Sequence, residues 1–218
     1  MARKDTSKSV EAYLRIKDMV HRSRLTPGQK LIYRDLEESL GMSRTPVING
    51  LIMLEKEGLV TNVRNRGFYV RKVTPKEAKD IYDIRERLEL IAIEFAIERH
   101  ESADLKELKK RIDIYNNNME SIYDKKRYSL DLDIHIQLAQ MGKNNYFVAM
   151  ATQFYSSIYF TLNVSALMPR LHVFKAEHDE LFAAIRNRDL NLASEIIVRH
   201  IRASSELFVS AIQNSLGG

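Results

Sequence analysis

The stretch that most restricts the fold of this chain is a short break between two segments with helical patterns. Gly41 stands where a helix would end in a left-handed turn, and Ser43 follows as a potential helix N-cap. Pro46 falls in the first turn of the next segment, where its missing N–H costs no hydrogen bond. The spacing therefore predicts one helix over 34–40 and a second over 43–56, with a tight turn between them.

Elements on both sides of this helix pair extend the pattern. Apolar residues recur at three- and four-residue steps over 10–21, which predicts another helix before the pair. After the pair, two short segments at 59–61 and 68–70 have the composition of β-strands, and the turn between them carries Arg64 and Arg66. Three helices and a basic hairpin predict a winged helix-turn-helix in the first third of the chain.

The pattern changes at Thr74 and Pro75, where long helical segments with few breakers begin. Thr74 is suited to cap the first of them through its hydroxyl. The apolar periodicity predicts helices near 76–99, 103–122, 128–141, 144–163, 170–187 and 190–214. We therefore expect a mainly α fold, with a winged helix-turn-helix over 1–73 and an all-α antiparallel helical bundle over 74–218.

Charge is distributed unevenly between these two regions. The chain has a net charge of +5, but residues 1–72 hold 15 Lys and Arg against 8 Asp and Glu, a net of +7. Residues 73–218 hold 19 against 21, a net of −2. A basic module joined to a near-neutral one is typical of a protein that meets a polyanion through one end, although a solvated basic face would give the same count.

Composition also limits the available chemistry. The chain has no cysteine, which excludes disulfides, thiolate metal sites and cysteine nucleophiles. A metal would have to be held by His, Asp, Glu or water. No run approaches the roughly 20 apolar residues of a membrane span, and the N-terminus lacks the apolar core of a secretory signal. We therefore expect a cytoplasmic protein with no membrane partner.

The second helix of the turn carries the residues best suited to read DNA. In a helix-turn-helix this helix enters the major groove, and its N-terminal residues meet base edges. Here it opens with Ser43-Arg44-Thr45, and Arg44 could give two parallel hydrogen bonds to guanine O6 and N7. Arg34, Thr45 and the two wing arginines are placed for phosphates or the minor groove. A helix-turn-helix with a purely structural role is the alternative.

Four motifs in this region, in this order, resemble the GntR family of bacterial transcription regulators. They are LTPGQKL at 25–31, LGMSRTPV at 40–47, LEKEGLV at 54–60 and NRGFYV at 65–70. The resemblance covers essentially the whole first domain. It implies a homodimer that binds a short inverted repeat in double-stranded DNA, with contacts from Arg34, Arg44 and the wing around Gly67.

One part of the recognition helix departs from the family pattern. The family usually continues the motif SRTPV with Arg-Glu-Ala-Leu, whereas this chain has Ile48-Asn49-Gly50-Leu51. An arginine that contacts DNA in the family is thus replaced by isoleucine. We expect an altered operator core, in which Asn49 or a contact between Ile48 and a thymine methyl group contributes to recognition.

The second region holds a candidate metal site. Asp131 and His135 stand four residues apart and share one face of a predicted helix, while His178 and His200 lie on two later helices. Together they could hold a divalent metal such as zinc, nickel or manganese and leave positions open for a ligand. The alternative is that Asp131 and His135 form an ordinary surface pair.

Segments around these four residues resemble the FCD domain, the ligand domain of the FadR-type branch of the same family. They are DLDIH at 131–135, EHDEL at 177–181 and VRHI at 198–201. The resemblance implies that the metal ligands are Asp131, His135, His178 and His200. It also implies a small carboxylate effector that completes the metal sphere inside the bundle.

The resemblance extends to two candidate effector-binding residues. Arg85 occupies the position of the family's arginine that grips the effector, and a guanidinium can bind a carboxylate in a bidentate manner. An ion pair with Glu89 on the helix surface is the alternative for this arginine. Asn144 matches the family's asparagine after the Asp/His helix and is a further candidate.

These features predict a ligand-responsive bacterial transcription regulator whose helical domain also forms the dimer. The residues alone leave two other classes open. Three histidines and an aspartate also describe the site of a metal-dependent enzyme acting on small acids, although no base or nucleophile is evident. A helical adaptor without a ligand would show neither stoichiometric metal nor a thermal shift with small acids.

Overall fold

The computed structural model describes residues 2–21, 24–118, 125–161 and 171–216. The chain divides into two compact units, residues 1–72 and 73–218. Helices dominate both units, and the first also contains a two-stranded sheet, so the predicted mainly α fold is confirmed. Across these described ranges, no helix is long and apolar enough to cross a membrane.

The helices of the N-terminal unit are α1 (Ala2–His21), α2 (Tyr33–Leu40) and α3 (Arg44–Lys56). The turn between α2 and α3 has the expected form, because Gly41 adopts φ 65° and ψ 35° in the left-handed region. Ser43 takes the N-cap position of α3, but its hydroxyl makes no capping hydrogen bond within the described part of the chain. α1 begins at Ala2, well before position 10. The periodicity did not predict this extension, because the residues ahead of position 10 carry no apolar pattern.

Helices α1 and α3 cross closely at Gly50. A Cβ atom added to this glycine would lie 2.8 Å from the backbone nitrogen of Tyr13 and 3.1 Å from the Cβ of Ala12. Ala12 and Ile16 on α1 and Leu51 on α3 are completely buried. The missing side chain at position 50 therefore lets the two helix backbones approach and fixes α3 on the unit's core.

The wing is an antiparallel hairpin of β1 (Val60–Val63) and β2 (Gly67–Val70). Val63 pairs with Gly67, so the turn consists of residues 64–66 alone. Positive φ angles of 61° at Asn65 and 89° at Gly67 close this short turn. The predicted hairpin is confirmed, and its strands extend further towards the tip than the short apolar segments indicated.

The described helices of the C-terminal unit are α4 (Pro75–Arg99), α5 (Ser102–Asn117), α6 (Lys125–Met141), α7 (Asn145–Thr161), α8 (Leu171–Arg186) and α9 (Leu190–Leu216). They correspond in order to the predicted helices. Thr74 caps α4 as expected: its Oγ1 accepts from the Glu77 N–H at 3.1 Å, and Glu77 Oε2 accepts from the Thr74 N–H at 2.8 Å. Predicted helical residues 119–122, 162–163 and 170 lie outside the described residues.

Helix α4 lies at the centre of this unit. It packs against α6 and α9, α9 packs against α8, and α5 and α7 both pack against α6. The core around it is largely apolar, but Arg85 and Glu89 on α4 are only 1% and 0% exposed. Burial of charged groups is costly unless they are paired or bind an ion. Their position therefore marks the region where α4, α6, α8 and α9 meet as a candidate site.

Candidate functional site

Four side chains converge where these helices meet. Asp131 and His135 come from α6, His178 from α8 and His200 from α9, and all four are buried. One potential ligand atom from each lies within 4.8 Å of all the others. The Asp131 carboxylate is central, because its oxygens lie 3.5, 3.2 and 3.7 Å from the Nε2 atoms of His135, His178 and His200.

The polar atoms that face the middle of this cluster are poorly satisfied. The Nε2 atoms of the three histidines and Oδ1 of Asp131 are buried without a hydrogen bond of normal geometry among the described residues. Buried polar atoms are almost always paired, so a group of such atoms with converging lone pairs requires an explanation. Imidazole nitrogen and carboxylate oxygen are suitable ligands for a divalent transition metal. The Asp/His3 cluster could therefore hold a metal ion.

Two buried carboxylates orient the histidine rings from outside. Glu89 Oε1 on α4 lies 2.9 Å from His135 Nδ1, and Glu177 Oε2 on α8 lies 2.9 Å from His200 Nδ1. At His200, a carboxylate that accepts from Nδ1–H fixes the tautomer whose Nε2 is free to bind a metal. At His135 the contact lacks hydrogen-bond geometry, and Glu89 acts on the ring through its charge. Neither glutamate was predicted from the sequence, although Glu177 directly precedes a candidate ligand and Glu89 lies one turn after Arg85.

His178 is held in a different way. Its ring meets the buried ring of Tyr115 edge-on, with centroids 4.9 Å apart and an interplanar angle of 86°. Its Nδ1 has no hydrogen-bond partner among the described residues. Aromatic packing thus orients this ring where carboxylates orient the other two.

Arg85 connects α4 to the cluster. Its Nε lies 3.5 Å from Glu89 Oε1 and its NH2 nitrogen 3.6 Å from Asp131 Oδ2. Arg85 thus pairs with Glu89, as the alternative to effector binding predicted. The pair is buried in the core, however, and does not lie on the helix surface. The arginine places a positive charge beside the candidate metal ligands.

The buried charges shift one another's protonation. Burial alone would lower the pKa of His135, but the Glu89 and Asp131 carboxylates outweigh it and raise the pKa to about 9. Burial dominates at His200, where it lowers the pKa to about 4. Burial would raise the pKa of Asp131, but the positive charge on His135 and hydrogen bonds from the imidazoles hold it well below its usual range. In the absence of a metal, a proton on His135 supplies positive charge to the cluster.

Asn144 has a structural contact of its own. Its Oδ1 accepts a hydrogen bond from the backbone N–H of Phe147 at 3.1 Å, at the start of α7. It thus caps this helix, and its part in effector binding stays a prediction.

In the N-terminal unit, the predicted DNA-reading residues lie on the surface. Ser43, Arg44 and Thr45 are exposed at the start of α3, and Arg64 and Arg66 are exposed at the wing tip. Arg34 is exposed at the start of α2, where it forms an ion pair with Glu38 at 3.0 Å. The start of α3 and the tip of the wing thus present positive charge to a ligand.

Residues 48 and 49 are placed differently. Asn49 is exposed, and its amide donates a hydrogen bond to Ser9 Oγ of α1 at 3.3 Å. Ile48 is half-buried. Base contacts by either residue stay predictions; Asn49 keeps a second N–H and its Oδ1 for such a contact.

Comparison with known proteins finds a family match in each unit. The family described as bacterial regulatory proteins of the gntR family matches residues 8–70, and the FCD domain matches residues 80–203. A transcriptional regulator in an unstable DNA locus of Streptomyces ambofaciens is 30% identical over 88% of this chain and 81% of its own length. YdhC of Bacillus subtilis, described as an uncharacterized transcriptional regulator, is 25% identical over 93% of this chain and 92% of its own length.

Solved structures show the same fold. Escherichia coli McbR/YncC superposes with a TM-score of 0.71 at 20% identity, covering 96% of this chain and 98% of its own. A GntR-type regulator from Rhodococcus sp. RHA1 gives a TM-score of 0.73 at 18% identity, covering 94% and 99%.

A winged helix-turn-helix joined to a helical unit with a buried Asp/His3 cluster defines a DNA-binding transcription regulator with an internal effector domain. The chain belongs to the GntR family, in the branch that carries the FCD domain. Its relatives are transcription regulators and not enzymes.

Proposed function

We propose that the protein is a homodimeric regulator that binds an inverted-repeat operator through residues 1–73 and senses a small carboxylate through residues 74–218. Ser43, Arg44, Thr45 and Asn49 of the recognition helix, Arg34, and the wing residues Arg64, Arg66 and Gly67 would contact DNA. Asp131, His135, His178 and His200 would hold zinc, nickel or manganese. Arg85 and Asn144 would line the effector pocket.

The observation that supports the effector site is the buried guanidinium beside the Asp/His3 cluster. Arg85 lies 3.6 Å from Asp131, so an anion bound to the cluster would meet a positive charge within reach of hydrogen bonds. When bound, the metal would supply an open coordination position for one carboxylate oxygen. Arg85 would bind and orient the same carboxylate, and the apolar core would exclude water from it.

Helix α4 would couple the pocket to DNA binding in this proposal. It carries Arg85 and packs directly against α6 and α9, which carry three of the candidate ligands. An effector that binds both Arg85 and the metal held by these ligands would favour one arrangement of the three helices. Such coupling between sites is typically about 1–3 kcal/mol, enough to change operator occupancy.

The first experiment combines metal analysis with a DNA selection. Purified protein should contain about one metal per chain by elemental analysis. At moderate salt, where nonspecific electrostatic binding is weak, it should select an inverted repeat from genomic fragments. Protein without metal or with only sequence-independent binding would contradict the proposal.

A second experiment tests the effector site. In a thermal-shift screen with small carboxylic acids, the wild type should be stabilised by at least one acid, whereas Arg85→Lys should lose this shift and keep its metal. Arg202→Lys is a matched control, because Arg202 on α9 is exposed and pairs with Glu86. Equal shifts in all three proteins would count against Arg85.

The altered recognition helix has its own test. Ile48→Arg restores the family's residue, so its preferred operator should differ from that of the wild type in a parallel selection. An unchanged operator would show that position 48 does not contribute to recognition.

A further inference from the structure

Tyr33 occupies the junction between the two parts of the N-terminal unit that face DNA. It is the first residue of α2 and is half-buried. Its ring packs edge-on against Phe68 of β2, with centroids 6.4 Å apart and an interplanar angle of 72°. A Cβ atom on Gly67 would lie only 3.7 Å from its hydroxyl oxygen. Tyr33 thus contacts the start of β2, next to the turn of the wing.

The same ring also contacts the recognition helix. The guanidinium carbon of Arg44 lies 4.9 Å from the centre of the Tyr33 ring, within the range of a cation–π contact. A guanidinium that stacks through its flat face keeps its N–H donors free, because all of them lie in the plane of the group. A guanidinium held in this way on the Tyr33 ring would keep the hydrogen-bonding edge of Arg44 available to a base.

The sequence of α3 makes the orientation of this arginine important. Arg44 is the only arginine in α3, since position 48 carries isoleucine. Bidentate recognition of guanine requires both N–H donors to point in one direction. A long side chain on the surface would otherwise lose rotamer freedom on binding. An aromatic platform that holds it in advance lowers this cost.

We propose that Tyr33 is a positioning residue for DNA reading: it holds Arg44 in the orientation that discriminates one base pair of each half-site and fixes that orientation relative to the wing. The inference rests on the DNA-reading function proposed above. It assigns specificity to a residue that contacts the reading arginine and need not touch a base itself.

The test uses full-length, metal-loaded protein and duplexes derived from the wild-type selection. Each base pair of the selected half-site is substituted in turn, and the pair read by Arg44 is identified as the one at which Arg44→Ala loses discrimination. Tyr33→Leu keeps an apolar contact with Phe68 but has no π face, whereas Tyr33→Phe keeps the ring. Tyr69→Leu removes another half-buried ring from the same unit and is the matched control.

We expect Tyr33→Leu to reduce discrimination at that one base pair by about fivefold or more, with the other positions and the salt dependence unchanged. Tyr33→Phe and Tyr69→Leu should retain it. A thermal melt of each variant verifies that the unit is folded.

Three outcomes would overturn the inference. Unchanged discrimination in Tyr33→Leu would show that the stack is dispensable, and an equal loss of affinity for every duplex would show a structural role only. A wild-type protein with no sequence preference would overturn both the inference and the DNA-reading function. Either of the first two outcomes, with specific binding by the wild type, would overturn the inference alone.

Discussion

Arg44 and Arg66 lie exposed on the N-terminal unit, whereas Asp131, His135 and Glu89 lie buried in the C-terminal unit. The first set lies at the surface, where Arg44 contacts the Tyr33 ring. In the second set each side chain is held by the others, and Asp131 alone lies within 3.7 Å of three imidazole nitrogens. Loss of one surface group removes one contact, but loss of one buried group leaves several others unpaired.

This difference predicts how each unit responds to substitution. Surface variants of the first unit should change DNA binding and leave unfolding unchanged. Buried variants of the second unit should change metal binding and stability together.

The largest effect is expected from Asp131→Asn, which removes the central charge with little change in shape. Metal affinity should fall by more than about a hundredfold, because loss of a direct ligand costs more than loss of a supporting residue. Competition with a chromophoric chelator measures it. Asp133→Asn is the control, since Asp133 lies on the same helix outside the cluster. Equal affinities for the two variants would contradict the assignment of Asp131 as a ligand.

A smaller loss is expected from Glu177→Gln, which keeps a hydrogen-bond acceptor for His200 but removes the charge. Metal affinity should fall by about 10- to 100-fold, as is usual for groups that orient a ligand. The control is Glu180→Gln, an exposed residue on the same helix that pairs with Arg199. If both variants bind metal like the wild type, Glu177 does not support the site.

The pH dependence of the metal-free protein should reveal the same coupling. The pKa of His200 is lowered to about 4 from the usual histidine value near 6.5. The contribution of His200 to stability therefore grows as the pH rises from 4 to 6.5. The pKa of His135 is raised to about 9, so its contribution is present below pH 6.5 and is lost as pH rises through 9.

Thermal unfolding of chelator-treated protein should therefore show the highest melting temperature of the C-terminal unit near pH 6.5. Protein reloaded with metal should not lose stability between pH 6.5 and 9, because the bound cation replaces the proton. A metal-free protein whose stability is constant from pH 6.5 to 9.5 would show that His135 does not carry the extra proton.

The smallest effect is expected from an exposed residue of the N-terminal unit. Arg34→Ala should leave unfolding unchanged within about 0.5 kcal/mol, since Arg34 is exposed and its ion pair with Glu38 lies on the surface. Affinity for all duplexes should fall uniformly, and the slope of log affinity against log salt should decrease by about 1. Urea unfolding and a salt titration measure the two. A change in sequence preference would assign Arg34 to base reading instead of phosphate binding.

The two units also differ in how far sequence predicts them. In the first unit, the turn at Gly41 and the hairpin follow from local rules, because each depends on residues a few positions apart. In the second unit, the N-cap at Thr74 is local in the same way, but the site is not. The exact strand ends were not predictable, since they depend on the positive φ of Gly67 and on the pairing register.

The candidate metal ligands were named from the resemblance to the FCD domain, while spacing alone left a surface pair open. Glu89 and Glu177 were missed because their role depends on the rotation of α4 and α8 about their axes, which only packing decides. The burial of Arg85 beside Asp131 and the hydrogen bond from Asn49 to Ser9 were missed for the same reason. Both are contacts between helices that are far apart in sequence.

The close crossing at Gly50 bears on how such a protein can be engineered. The family pattern has alanine at this position, so a design by consensus would introduce Gly50→Ala and expect the usual gain in helix propensity. The backbone nitrogen of Tyr13 leaves no space for the added methyl group. Gly50→Ala should therefore destabilise the unit unless α1 shifts away from α3, and changes of residues 48 and 49 towards the family's pattern are best made with glycine kept at position 50.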